Sequence, residues 1–109
     1  MARIIQVQWT CATLEEAKQI AQLLLAQRLV ACVNIIPKIE SHFLWEGEYC
    51  REEEVKVLLK TTLDKYELLR EIIEERSSYA LPEITYLLVD GGNSAYLKWV
   101  EESVHQVLD

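Results

Sequence analysis

Three cysteines, two histidines and a run of glutamates are the residues of this 109-residue chain with potential for metal or acid–base chemistry. Cys11, Cys32 and Cys50 are widely spaced and include no CxxC pair. That spacing indicates neither a chelating pair nor a disulfide framework. Singly, they read as small buried hydrophobes or ordinary thiols. His42 sits in a strand-like segment without a local ligand partner, so it would need copies from other subunits around an oligomer axis to hold a metal. His105 falls late in a helix, where a cation suits the C-terminal dipole. Glu52-Glu53-Glu54 supplies carboxylates of the kind that bind Ca²⁺ or Mg²⁺. A strand, however, turns Glu53 away from its two neighbours. The plainer reading is an acidic strand pairing with Lys38 or Arg51. There is no Ser/His/Asp order and no phosphate loop, and Gly91-Gly92 is an isolated turn signal. These observations favour a binding or assembly protein over an enzyme.

Composition narrows the class further. The length fits one domain over residues 1–109. Half the residues are hydrophobic, with only three Gly and two Pro, so a packed core is expected rather than disorder. The formal charge of -7 opposes nucleic-acid binding, which needs a basic face. No stretch approaches the ~18 apolar residues of a membrane span. The opening MARIIQVQWT lacks the form of a secretory leader. Together with three unpaired cysteines, this points to the cytoplasm.

The elements that must position these residues are legible from periodicity. Residues 4–10 alternate Ile5, Val7 and Trp9 with Gln6 and Gln8, the period of a strand. Thr13-Leu-Glu-Glu16 has the form of a capping box. The helix it opens would bury Leu14, Ala17, Ile20, Ala21, Leu24 and Leu25. Residues 31–62 read as two strands of about fifteen residues each, turning at Glu46-Gly47. Pro37 marks an edge or bulge in the first of these. In the second, Val55, Val57 and Leu59 alternate with Lys56, Leu58 and Lys60. Thr62 is the expected cap of a second helix with the stripe Leu63, Tyr66, Leu69, Ile72 and Ile73. A strand over residues 84–89 follows. A third helix, capped by Asn93 or Ser94, would bury Leu97, Val100, Val104 and Leu108.

The order β-α-β-β-α-β-α, with right-handed crossovers, predicts an α+β fold. It is a ferredoxin-like four-stranded antiparallel sheet with helices on one face. Apolar residues nevertheless occupy both faces of several strands, as at Ile4 and Ile5, Cys32 and Val33, and Leu87 and Leu88. A solvated second face would read as polar. Strands that overshoot their own fold also expose unpaired edges. Both features predict that copies of this chain cover one another.

Five segments carry a family resemblance. They are ACVNIIP at residues 31–37, Ser41 to Glu48 with its WEGE, Glu54 through Lys60-Thr61, Tyr79-x-x-Pro82-Glu83-Ile84, and Tyr96-Leu-x-Trp99. In this order they resemble CutA, the divalent-cation tolerance family, whose trimers are similar to PII signalling proteins. The resemblance implies a cytoplasmic homotrimer built through the long hairpins and associated with copper and other divalent cations. Glu54, Lys60, Tyr79, Glu83 and Tyr96 would line the intersubunit cleft, either binding a small anionic metabolite or forming structural bonds at the seam. Pro37, Trp45 and Trp99 would serve in packing and trimer contacts. The family's metal-ligand positions fall on Trp9, Arg76 and Ser77, with Cys11 two residues beyond the first. The resemblance therefore carries two readings: a non-enzymatic protein of the metal-ion response, or a PII-like module that binds a metabolite.

Overall fold

A computed structural model of the protein describes residues 2–105. The elements are β1 (Ile4–Cys11), α1 (Leu14–Ala26), β2 (Cys32–Trp45), β3 (Glu48–Thr62), α2 (Tyr66–Arg76), β4 (Ile84–Leu88) and α3 (Ser94–Val104). The strands form one antiparallel sheet in the order β2-β3-β1-β4. This is the ferredoxin-like order, reached because each βαβ crossover leaves room for one strand between its ends. Leu108 of the expected third stripe lies outside the described residues.

The core lies between one sheet face and two helices. Ile5, Val7, Trp9 and Cys11 of β1 and Val55, Val57 and Leu59 of β3 point the same way and are buried. They meet Ala17, Ile20 and Leu24 of α1 and Leu69 and Ile73 of α2. Period-two alternation on the strands and helical spacing on the helices each supply one apolar face, and the faces close on one another. Leu14 and Leu25, at the margins of the α1 stripe, stay exposed. The second helix begins later than its expected cap: Leu63–Lys65 form a 3₁₀ turn, and the Thr62 side chain caps nothing there. The Thr61 hydroxyl instead donates to the Leu29 carbonyl at 2.7 Å, tying β3 to the segment after α1.

The third helix departs from the expected single helical layer. Val100 and Val104 are buried, yet they stand outside the cluster formed with α1 and α2. Tyr96 lies against Cys32, whose cross-strand partner is Lys60. Lys60 alternates with the core residue Leu59, so both Cys32 and Lys60 face away from the core. Thus α3 covers one end of the second face and leaves the rest open, including Ile36 and Leu87.

The hairpin is longer than the sheet that supports it. β1 pairs with β3 only over Val55 to Thr62, so Glu48 to Glu54 pair with β2 alone. The turn has positive φ at both Glu46 and Gly47 (51° and 82°), the geometry that matches strand twist across a two-residue connection. A bulge interrupts the β2–β3 register between Ile36 and Ile39. Pro37 lies within it, beside Lys38 at φ 61°. Proline cannot donate to the ladder, and the one extra residue shifts which β2 side chains share a face with β3.

Candidate functional site

A groove of about 750 Å³ opens where the hairpin overhang passes the loop between α2 and β4. Its walls are Ile39, Ser41, His42, Phe43 and Trp45 of β2, Cys50, Glu52, Glu54 and Lys56 of β3, Thr10 of β1, and Tyr79 to Leu81 with Glu83 of the loop. The two-residue alternation of β3 puts Glu52, Glu54 and Lys56 on one face. The β1–β3 register sets Thr10 opposite Lys56, and β1–β4 pairing brings Glu83 alongside Thr10.

The loop is positioned from α1. Thr13 caps that helix as its sequence predicts, its hydroxyl accepting from the Glu16 amide at 3.1 Å. The Glu16 carboxylate, however, is turned toward the loop. It accepts from the Ser78 hydroxyl at 2.7 Å and from the Ser78 amide and Ser77 hydroxyl at 3.4 Å each. The Tyr79 amide donates to the Ser77 hydroxyl, and the Tyr79 hydroxyl then donates to Glu54 Oε2 at 2.7 Å. Burial, the Glu54 hydrogen bond and the charges of Glu54 and Glu52 raise the Tyr79 pKa, so the phenol stays a donor.

A second network fixes the floor. Lys56 Nζ donates to Glu83 Oε1 at 2.7 Å and to the Thr10 hydroxyl at 3.2 Å. Thr10 and Thr85 donate to the two Glu83 oxygens at 2.8 and 3.2 Å. Burial pushes the Glu83 pKa up. The hydrogen bonds from Lys56 and Thr10, with the Lys56 charge, outweigh it and hold the carboxyl below its ordinary value.

Of the five cleft residues expected from sequence, Glu54, Tyr79 and Glu83 meet here. Lys60 and Tyr96 do not. Lys60 shares the face of Glu54 but lies six residues along the strand, roughly 20 Å at the usual rise. It donates to Asn34 Oδ1 at the α3-covered end, near Cys32 and Tyr96. The groove's lysine is Lys56. Alternation identified the face, but only the inter-strand register could select between the two lysines. Three carboxylates face one lysine in the groove, which suits a small anion poorly. Trp45 lines the groove and is 52% exposed. Trp99 is also exposed, on α3, its ring 5.6 Å from that of Tyr96.

The metal-ligand positions do not converge. Trp9 is fully buried. Arg76 ends α2, and Ser77 is engaged by Glu16 and Tyr79. Cys11 is buried, and desolvation followed by the Glu16 charge raises its thiol pKa to about 12. It is thus a protonated thiol aimed at the Thr13 carbonyl, 3.6 Å away. Among the described residues no three His, Cys, Asp or Glu side chains gather closely enough to hold a metal ion. The donor set of the described residues does not fit a divalent-cation centre within one chain.

Residues 5–103 match the family described as CutA1 divalent ion tolerance protein. The chain belongs to that family. It is 39% identical to the divalent-cation tolerance protein CutA of Thermus thermophilus, across 82% of this chain and 86% of that protein. It is 34% identical to the chloroplastic CutA 1 of rice across 94% of its own length, and spans 58% of the rice protein. The crystal structure of rice CutA1 superposes with a TM-score of 0.92 at 33% identity, covering 97% of each chain. The CutA resemblance in the sequence and the ferredoxin-like fold are thereby established. No helix among the described residues is long and apolar enough to cross a membrane.

Proposed function

We propose that the protein acts as a homotrimer in the cellular response to divalent cations, copper among them, in the cytoplasm and without catalysing a reaction. Family membership supports the cation response. The observation that carries the assembly is the overhang, where Phe43, Leu44, Trp45 and Tyr49 are all exposed on a stretch of hairpin that no other strand among the described residues supports. Large apolar side chains grouped this way are covered in a stable assembly. The open part of the second sheet face, with Ile36 and Leu87, offers further surface to the same contact.

The cation response then works through the assembly or its partners rather than through a metal centre inside one chain. Light scattering tests the assembly: a mass of about 38 kDa, three times the 12.7 kDa chain, is expected. A monomer mass would refute it. Calorimetric titration of Cu²⁺ tests the second half. The unaltered protein should show no stoichiometric submillimolar site, and such a site would require the ligands to be found between chains.

A further inference from the structure

We propose that His105 is a proton-operated latch: its imidazolium fastens the C-terminal end of α3 to the turn that opens α2, and its neutral form releases that end. The inference concerns contacts within one chain and rests on neither the assembly nor the cation response.

The geometry at His105 asks for two protons on the ring. His105 stands at the C-cap of α3, beside Asp64 of the 3₁₀ turn Leu63–Lys65. Its Nδ1 lies 3.0 Å from the Glu101 carbonyl, and its Nε2 lies 3.3 Å from Asp64 Oδ2. A carbonyl and an ionised carboxylate only accept hydrogen bonds. A neutral imidazole carries one N–H, so it satisfies one of these oxygens and turns a lone pair on the other. The imidazolium donates to both. The helix end adds a preference of the same sign. The last turn of α3 holds no other basic residue, and the free carbonyls of a helix C-terminus favour a positive charge. Burial pushes the Asp64 carboxyl up, but the nearby Thr62 hydroxyl, His105 and Lys65 outweigh it and hold it below its ordinary value. Asp64 is therefore the fixed anion of the pair.

His42 provides the contrast. Its Nε2 lies 2.9 Å from Glu40, but its Nδ1 meets the Tyr49 hydroxyl, which is able to donate. A neutral ring with Nε2–H satisfies both contacts, so a second proton is not called for there.

The other charged groups around His105 keep their charge where a histidine changes its own. Among the described residues they are Lys98, Glu101 and Glu102 of α3, and Lys65, whose Nζ lies 4.0 Å from Asp64 Oδ2. Carboxyl and ammonium groups ordinarily titrate outside the range of about pH 5 to 8, within which histidine ordinarily switches. The switch acts on a helix end with a load to hold. Val104, the residue before His105, is buried, and α3 covers the end of the second sheet face where Tyr96 lies against Cys32. Release of His105 frays the turn that seats Val104 and loosens this cover. The Asp64 and His105 side chains are partly exposed, so the latch biases the last turn and not the whole fold.

Hydrogen exchange of the intact protein tests the proposal, with each amide rate divided by that of an unstructured chain at the same pH. The readout is protection at Val104 and His105 relative to protection at Val7 in the core of β1. From about pH 5 to about pH 8 this ratio should fall about three- to tenfold. His105→Gln should remove the fall. Asp64→Asn should shrink it, leaving the part that comes from the helix dipole. Both positions are exposed, so the core is untouched in either variant. A ratio that stays constant or rises with pH in the unaltered protein would overturn the proposal. So would the full fall persisting in either His105→Gln or Asp64→Asn.

Discussion

Replacing Lys56 with Met should uncouple β3 from the start of β4 by a predictable amount. Lys56 Nζ sits 2.7 Å from Glu83 Oε1, and the two side chains are 24% and 39% exposed. A sheltered hydrogen bond to a charged group contributes about 1.5–3 kcal/mol, and a fully exposed ion pair about 0.2–1 kcal/mol. The pair lies between these limits, so screening reduces its coupling to about 1 kcal/mol. A double-mutant cycle of Lys56→Met and Glu83→Gln, read by urea denaturation at fixed protein concentration, measures it directly. The pH dependence has a definite sign. Glu83 is held below its ordinary carboxyl pKa in the folded protein. Its contribution is therefore fully present above the unfolded pKa and is lost as pH falls through the folded one. Removing Lys56 raises the folded pKa toward the unfolded value. The stability gap between the unaltered protein and Lys56→Met should be widest near pH 7 and should narrow below about pH 4. A coupling under about 0.3 kcal/mol, or a gap that does not change between pH 7 and pH 3, would refute the reasoning.

Three further outcomes follow from other parts of the structure. Trp9→Cys empties a fully buried site and should cost about 3–5 kcal/mol in urea denaturation. Trp9→Phe should cost less than about 1.5 kcal/mol, because it also removes an indole N–H that has no hydrogen-bond partner. Gly47→Ala should destabilise by about 1–2 kcal/mol through φ alone, since nothing lies within 4 Å of the added Cβ, whereas Gly91→Ala, with open space and no positive φ, should be nearly neutral by thermal denaturation. Cys11 should resist alkylation: a thiol raised from 9.0 to about 12 carries roughly 1,000-fold less thiolate at pH 8, so iodoacetamide mass spectrometry should find it unlabelled in the folded protein and labelled after denaturation.

Much of the framework was legible in the chain. Alternation in Val55, Val57 and Leu59 and helical spacing in Ala17, Ile20 and Leu24 select core faces without any long-range knowledge. The Glu46-Gly47 turn and the Pro37 irregularity were also readable, because backbone torsion and a missing N–H are local properties. The Thr13–Glu16 pattern was only half informative. Thr13 caps α1, but Glu16 finds better donors in Ser77 and Ser78, more than sixty residues away. Its diversion is what holds Tyr79 against the sheet.

The candidate site was less legible, and the two lysines show why. Sequence put Glu54, Lys56 and Lys60 on one side of β3. Nothing local says which lysine stands beside Glu83, because that depends on how β1 registers against both β3 and β4. The placement of α3 is similar. Its apolar spacing required a surface to bury, but the α1 and α2 layer was already closed, so Val100 and Val104 found theirs at the end of the other face.

The sequence alone determined the order and type of the elements, the excess length of the hairpin and the family, since each rests on short-range pattern or on residues quoted in order. The tertiary structure decided which charges meet. It paired Lys56 with Glu83, set the Tyr79 hydroxyl on Glu54, and buried Cys11. Desolvation and ion pairing fall off over a few ångströms, and only the folded chain sets distances of that size between residues far apart in sequence.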